Sequence, residues 1–169
     1  GYDMAISYGN ITDYESTQAC MEGIHKEFGQ IDILVNNAGI TRDTTFKRMT
    51  PTQWIEVINT NLNSMFNVTR LIIDDMLEQN WGRIINISSI NGEKGQFGQT
   101  NYSAAKAGIH GFTKALAQEV ARKGITVNTI SPGYIATSMI MEVPEKVRET
   151  IREGIPVGRF GEPEEIARI

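Results

Sequence analysis

Residues 89–106 read Ser-Ile-Asn-Gly-Glu-Lys-Gly-Gln-Phe-Gly-Gln-Thr-Asn-Tyr-Ser-Ala-Ala-Lys, and this stretch decides the fold. It follows an apolar run, Arg83 to Ile87, that predicts a strand. It leads into a long helix that we expect to begin near Thr100 and to end at Lys123. The stretch therefore joins a strand to a helix, as in a βαβ unit.

Three side chains of this stretch are suited to proton transfer. Tyr102 and Lys106 are four residues apart, so they share one face of the predicted helix. A lysine ammonium stabilises phenolate and so lowers the pKa of a tyrosine, which is normally about 10. Ser89, at the end of the preceding strand, can offer its hydroxyl to the same substrate oxygen. Tyr-x-x-x-Lys alone is a common pattern, so its weight depends on the motifs that accompany it.

Composition limits the partners of the protein. The 169 residues suit a single domain, and a hydrophobic content of 40% is ordinary for a globular protein. A net charge of −4 gives no reason to expect nucleic acid or an anionic membrane as a partner. No apolar run is long enough to span a membrane and no signal peptide opens the sequence, so we expect a reducing, cytoplasmic setting.

Cysteine and histidine give no sign of a metal site. Cys20 is the single cysteine, and its helical spacing with Ile24 and Phe28 predicts a buried core thiol. His25 and His110 are isolated in the sequence, without a Cys, Asp or Glu cluster at ligand spacing. We therefore expect no bound metal.

Apolar runs alternate with segments of helical pattern along the whole chain. Such alternation indicates βαβ units and a parallel sheet covered on both faces, which is an α/β fold. Beside Arg83–Ile87, strands are predicted at residues 4–8, 31–36 and 125–131. Helices are predicted from an N-cap at Asp13 to Phe28, from the Thr50-Pro51-Thr52-Gln53 capping box to Gln79 with a bend near Asn61, at 145–152, and from Pro163 onwards.

The motifs on these elements resemble those of the short-chain dehydrogenases/reductases, which are oxidoreductases with a Rossmann-like doubly wound parallel sheet. The resemblance covers the whole chain, in the order and spacing of the family. It rests on Asn36-Asn37-Ala38-Gly39, Asn61, Ser89, Tyr102-Ser103-Ala104-Ala105-Lys106 and Ser131-Pro132-Gly133.

Within the family, three stretches are most similar to the NADPH-dependent acetoacetyl-CoA reductases of polyhydroxyalkanoate synthesis. They are Gly39–Asp43, Trp81–Ser89 and Gly95–Tyr102. The resemblance implies NADPH-dependent reduction of acetoacetyl-CoA to 3-hydroxybutyryl-CoA by a homotetramer. Reduction of a 3-oxoacyl thioester on an acyl carrier protein is the alternative activity, and a non-catalytic Rossmann-like binding module is the alternative from another class.

The resemblance also implies a role for each catalytic residue. Tyr102 would protonate the ketone oxygen while hydride reaches the carbon. Lys106 would lower the pKa of Tyr102 and hydrogen-bond the nicotinamide ribose. Ser89 would polarise the carbonyl, and Asn61 would hold a water that links Lys106 to solvent.

Further residues match cofactor-binding and substrate-binding positions of the family. Tyr102 and Lys106 belong to the cofactor set, and Ser89 and Tyr102 to the substrate set. The remaining cofactor positions are Asn10, Ile11, Asn37, Ala38 and Gly39 on the adenine–ribose side, and Pro132, Gly133, Ile135 and Thr137 around the nicotinamide and pyrophosphate. The remaining substrate positions are Asp43, Gln96, Phe97, Gln99 and Tyr134.

Two parts of the family pattern have no counterpart in this sequence. The family begins with a strand and a Thr-Gly-x-x-x-Gly-x-Gly turn that cradles the pyrophosphate, and it ends with a further strand. We therefore expect residues 1–169 to be one partial Rossmann-fold reductase domain of a longer enzyme, with the predicted strand at residues 4–8 lacking its neighbours. The preference for NADPH over NADH is implied by the resemblance alone.

Overall fold

The computed structural model describes residues 4–169, which form two compact units. The first unit ends at Ile130, and the second runs from Ser131 to Ile169. The first unit contains a three-stranded sheet with helices between the strands. Within residues 4–169, no helix combines the length and apolar composition that crossing a bilayer requires.

The sheet of the first unit is parallel, with strand order β1-β2-β3. The strands are β1 (Ile33–Asn36), β2 (Gly82–Ile87) and β3 (Ile125–Ile130). Register is continuous across the sheet, since Asn36 of β1 lies opposite Asn86 of β2, which in turn lies opposite Thr129 of β3. Parallel strands joined through helices confirm the α/β prediction and form part of a Rossmann-like fold.

Local sequence signals determine where the helices of this unit begin. Asp13 caps the first helix through its Oδ1, which accepts a 2.7 Å hydrogen bond from Ser16 N. Thr50 and Gln53 form the predicted capping box at the start of the second helix. The helices are α1 (Tyr14–Phe28), α2 (Pro51–Ile58), α3 (Ser64–Gln79), α4 (Ile90–Lys94) and α5 (Thr100–Val120).

The core lies between the sheet and helices α3 and α5. Ile84 on the central strand is fully buried, as are Ile72 and Met76 on α3. Each such side chain stabilises the fold by about 1.5–3 kcal/mol relative to its exposed state. A Cβ at Gly82 would lie 2.4 Å from Met76 Sδ, so glycine there permits the close approach of α3. The cluster comprises Ile72, Ile73, Met76, Ile84, Val120, Ile125 and Val127.

The prediction of a strand at residues 4–8 was wrong. This segment has no regular secondary structure, and Met4, Ile6 and Tyr8 are exposed. A strand needs a hydrogen-bonded neighbour, and β1 pairs only with β2 among the described strands. The strand predicted at residues 31–36 is shorter in the structure, where it begins at Ile33.

The predicted burial of Cys20 was also wrong. Its side chain is only partly buried, and its Sγ lies 3.1 Å from Ser7 Oγ in the irregular N-terminal segment. Cys20 borders a cavity of the first unit instead of packing in the core cluster.

The second unit is built from short helices around one parallel bridge. Ile135 pairs with Gly161, and Ala136 N donates a 2.8 Å hydrogen bond to Gly161 O. The predicted helix at 145–152 is confirmed, whereas the helix predicted from Pro163 ends at Ala167. The helices are α6 (Ser138–Met141), α7 (Glu145–Glu153) and α8 (Pro163–Ala167).

Candidate active site

The first turns of α5 place Tyr102 and Lys106 on one face, as predicted. Lys106 Nζ lies 5.6 Å from the centre of the Tyr102 ring. The Lys106 side chain is only 4% exposed, and its Nζ donates a 2.7 Å hydrogen bond to Ile87 O at the end of β2. Burial disfavours the charged ammonium and lowers the pKa of Lys106 to about 8.

Tyr102 differs from the prediction in the direction of its pKa. Burial raises the pKa of the phenol, a hydrogen bond from the Ser89 side chain opposes that rise, and the negative charge of Asp43 adds to it. The net direction is the opposite of the predicted one, because desolvation of the phenol outweighs the contribution that lowers its pKa. A tyrosine is protonated at neutral pH even at its ordinary pKa of about 10, so Tyr102 carries a proton there.

Ser89 lies two residues after β2, at the start of α4. Its Oγ accepts a 3.1 Å hydrogen bond from Asn91 N, which caps the helix. This hydrogen bond uses a lone pair of the Ser89 oxygen and not its hydrogen. The hydroxyl can therefore still donate to Tyr102 or to a substrate oxygen. The structure thus brings the Ser89 hydroxyl and the Tyr102 phenol together, as the sequence motifs predicted.

Asn61 lies in a π-helical turn, Asn59–Asn63, between α2 and α3. It is fully buried, and its Nδ2 donates to Val57 O at 2.8 Å and to Ile40 O at 2.9 Å. Its Oδ1 accepts a 3.2 Å hydrogen bond from Ile40 N. The predicted bend near Asn61 is confirmed, and the amide side chain holds the loop that follows β1.

Gly39 allows this loop to approach the site closely. A Cβ at Gly39 would lie 2.6 Å from Asn61 Oδ1 and 3.6 Å from Lys106 Nζ. These distances show that Gly39, Asn61 and Lys106 meet at one point. Asn61 and Gly39 are therefore neighbours of the buried ammonium. The water that Asn61 is predicted to hold, and the place of Gly39 on the adenine–ribose side, remain predictions.

A chain of amide hydrogen bonds connects the substrate loop to the serine. Gln99 Nε2 donates to Asp43 Oδ2 at 2.7 Å, and Asn91 Nδ2 donates to Gln99 Oε1 at 3.0 Å. The Asp43 carboxylate only accepts, so it fixes the orientation of both amides. Sequence reasoning found Asp43 and Gln99 but missed Asn91, which lies in the first turn of α4, two residues after Ser89, in no recognised motif.

The other two predicted substrate residues of this loop lie at the surface. Gln96 and Phe97 are exposed, between Gly95 and Gly98, which both have positive φ. Thr44 N donates a 2.9 Å hydrogen bond to Gly98 O, so this loop is tied to the one that follows β1.

Part of the predicted cofactor set lines one cavity of the first unit. The cavity measures about 270 Å³, and its wall includes Ile11, Asn37 and Ala38. It lies at the carboxyl end of β1, the edge of a parallel sheet where dinucleotides bind. Asn10 is not among the residues that line this cavity. Its Oδ1 accepts hydrogen bonds from Thr12 N and Thr12 Oγ1. The cavity can hold one portion of a dinucleotide, such as an adenine–ribose moiety.

The remaining predicted residues follow β3 in the second unit. Tyr134 O accepts a 2.9 Å hydrogen bond from Gly161 N, and Ile135 forms the bridge to Gly161. Pro132 and Gly133 precede this bridge, and Thr137 is the N-cap residue of α6. Their roles in binding remain predictions.

Comparison with known proteins decides which family this site belongs to. The profile of the short-chain dehydrogenases matches residues 2–148. The chain belongs to the short-chain dehydrogenase family. Membership implies that a nicotinamide dinucleotide is the cofactor, in keeping with the cavity at the end of β1.

Individual members of the family match over most of the chain. An acetoacetyl-CoA reductase of Cupriavidus necator is 59% identical over all 169 residues, which cover 69% of that protein. One of Shinella zoogloeoides is 63% identical over 93% of this chain and 67% of its own. A 3-oxoacyl-[acyl-carrier-protein] reductase of Pseudomonas aeruginosa is 49% identical over 95% of this chain and 65% of its own. The chain thus spans about two thirds of the length of these relatives.

Proposed function

We propose that this chain provides the catalytic residues of an NADPH-dependent reductase that converts acetoacetyl-CoA to 3-hydroxybutyryl-CoA. The observation that carries the proposal is the convergence of Tyr102, Ser89 and Lys106 beyond the carboxyl end of β2. The names of the two similar acetoacetyl-CoA reductases support the assignment of acetoacetyl-CoA as the substrate. Residues 1–169, in both units, would belong to one reductase domain.

Tyr102 is the proton donor in this proposal. The Ser89 hydroxyl would hydrogen-bond the ketone oxygen and hold it beside the phenol. A tyrosine is protonated at neutral pH even at its ordinary pKa of about 10, and burial raises the pKa of Tyr102 further. Tyr102 then donates its proton to that oxygen, a step that typically contributes about 10²–10⁴ in rate. The nicotinamide cofactor supplies the hydride to the carbonyl carbon.

Lys106 supplies positive charge beside this step. Its pKa of about 8 leaves the ammonium mostly charged at neutral pH, so it stabilises the phenolate that Tyr102 becomes. Asn61 and Gly39 meet Lys106 at the loop after β1 and fix its surroundings. Ile11, Asn37 and Ala38 would hold the adenine–ribose side of the cofactor, a role supported by their position in the wall of one cavity.

A chimera tests the activity of these residues directly. This chain would replace the matching 69% of the Cupriavidus necator reductase, and NADPH oxidation would be followed with acetoacetyl-CoA and with an acetoacetyl carrier protein. We expect a higher kcat/KM with the coenzyme A thioester. The names of the two acetoacetyl-CoA reductases, at 59% and 63% identity, favour this thioester. A preference for the carrier protein would instead favour fatty-acid synthesis, and absence of activity would favour a non-catalytic binding module.

We also propose that the reductase is a homotetramer that associates through α3 and α5. Of the four apolar residues at helical spacing on α5, Ile109 and Val120 are buried. Phe112 and Leu116 line an apolar groove of about 460 Å³ that also includes the exposed Phe66 of α3. Sedimentation of the chimera should give a tetramer, and Leu116→Glu should dissociate it. A monomer at micromolar concentration would refute this assembly.

A further inference from the structure

A groove with two aromatic side chains lies on the loop after β1 and the start of α2. We call it the Phe46–Trp54 groove. Phe46 is 71% exposed and Trp54 is 37% exposed. Neither belongs to the core cluster, and exposed aromatic side chains around a groove are suited to contact a ligand. Phe46, Met49, Thr50, Pro51 and Trp54 line a volume of about 470 Å³.

The groove is attached to the start of α5, beside the proposed proton donor. Thr100 Oγ1 lies 3.7 Å from Met49 Sδ in the groove wall. Asn101 is fully buried, and its Nδ2 donates to Gln53 O at 3.2 Å. Thr100, Asn101 and Tyr102 belong to the first turn of α5, so the groove wall contacts the same turn that carries the proposed proton donor.

The lip of the groove carries positive charge. Phe46, Lys47 and Arg48 form a single 3₁₀ turn, and the two basic side chains are exposed. Glu56, on the following helix, is already paired with Arg42 at 2.8 Å. The lip is therefore suited to bind phosphate groups.

We propose that the Phe46–Trp54 groove binds the pantetheine arm of a coenzyme A thioester, with Lys47 and Arg48 at its phosphates. The inference rests on the proposed function, since it names a second binding region for the same substrate. The arm is a chain of methylene and amide groups, which suits Phe46, Met49 and Trp54. It ends in a nucleotide with several negative charges, which complement the basic turn.

The test compares two thioesters in the chimera. Acetoacetyl-CoA carries the full arm and the phosphates, whereas acetoacetyl-N-acetylcysteamine carries the same ketone with neither the nucleotide nor most of the arm. We expect the double variant Lys47→Glu, Arg48→Glu to raise KM for acetoacetyl-CoA about tenfold and to leave kcat unchanged. The same variant should leave KM for the short thioester unchanged. Phe46→Ala with Trp54→Ala should likewise raise KM for acetoacetyl-CoA and leave KM for the short thioester unchanged. This difference should be the same at low and high salt.

Two control variants match these changes elsewhere in the first unit. Arg122→Glu reverses an exposed charge just before β3, and Phe28→Ala removes an exposed aromatic ring at the end of α1. Both should leave KM for the two thioesters unchanged. Equal effects of the groove variants on both thioesters, or no effect on either, would overturn the inference. If the unmodified chimera reduces neither thioester, the proposed function itself fails.

Discussion

Burial acts in opposite directions on the two ionisable side chains of the site. It raises the pKa of the Tyr102 phenol and lowers that of the Lys106 ammonium to about 8. At neutral pH both groups therefore keep their protons, and this is the state that reduction of a ketone requires. As the pH rises through 8, Lys106 loses its charge before Tyr102 ionises.

This order of ionisation predicts an alkaline limit to the rate of reduction. In the chimera, kcat/KM for acetoacetyl-CoA should stay level below about pH 7 and fall as pH rises through about 8. The measurement is a rate profile between about pH 6 and 10. Lys106→Arg keeps its charge over this range, so whatever activity it retains should lack the limb near pH 8. A level profile for the unmodified chimera up to pH 10 would contradict this role of Lys106.

The amide chain from Asp43 to Asn91 predicts a selective effect on substrate binding. Asn91→Asp has the same shape but no donor for Gln99 Oε1, so the two amides lose their fixed orientation. We expect KM for acetoacetyl-CoA to rise about three- to tenfold, with KM for NADPH unchanged. The matched control is Asn63→Asp at an exposed position of the π turn. An equal rise in both KM values would indicate general damage instead.

At the scale of helices and strands, local signals were sufficient for the helix starts. The caps at Asp13 and Thr50 depend on neighbouring residues and were correctly predicted. The long helix was predicted to end at Lys123, but α5 ends at Val120 and a 3₁₀ turn, Ala121–Lys123, follows it. The strand expected at residues 4–8 needs a hydrogen-bonded partner that none of the described strands supplies, so its local pattern was misleading.

The candidate site was predictable to a similar extent. The motifs located Tyr102, Lys106, Ser89 and Asn61, because each stands at a fixed position on its own element. The direction of the Tyr102 pKa and the part played by Asn91 depend on burial and on contacts between loops. These contacts are not encoded in any single stretch of the sequence.

The π turn and the loop after β1 approach each other closely at Gly39. A methyl group at this position would meet Asn61 Oδ1 at 2.6 Å. We expect Gly39→Ala to lower the free energy of unfolding by about 1–3 kcal/mol in denaturant titration of the chimera. Gly111→Ala, on α5 with open space around it, should raise that free energy by about 0.5–1 kcal/mol. Equal changes in the free energy of unfolding for both variants would show that the Asn61 side chain moves away from the methyl group without destabilising the fold.

At the scale of the whole chain, the described part of the sheet has an open edge. Strand β1 pairs only with β2 among the described strands, and its Ile33 and Val35 are 55% and 52% exposed. Unpaired edges with apolar side chains associate with other chains. Met4, Ile6 and Tyr8 add further exposed apolar surface close in sequence to α1.

We therefore expect the 169-residue chain, expressed without the rest of a relative, to self-associate. It should bind NADPH negligibly and show no reductase activity, because the sequence has no glycine-rich turn to receive the pyrophosphate. Ile33→Lys with Val35→Lys should reduce the association in sedimentation experiments. Micromolar binding of NADPH in calorimetric titration of this chain would contradict the expectation.

The most direct test of the catalytic assignment is the rate of NADPH oxidation by the Tyr102→Phe chimera with acetoacetyl-CoA. The substitution keeps the ring and removes only the proton donor. We predict a fall in kcat of at least about 10² with nearly unchanged affinity for NADPH. Tyr14→Phe on α1 is the matched control and should retain full activity. If the Tyr102→Phe chimera keeps more than about a tenth of the rate, Tyr102 is not the acid that protonates the ketone.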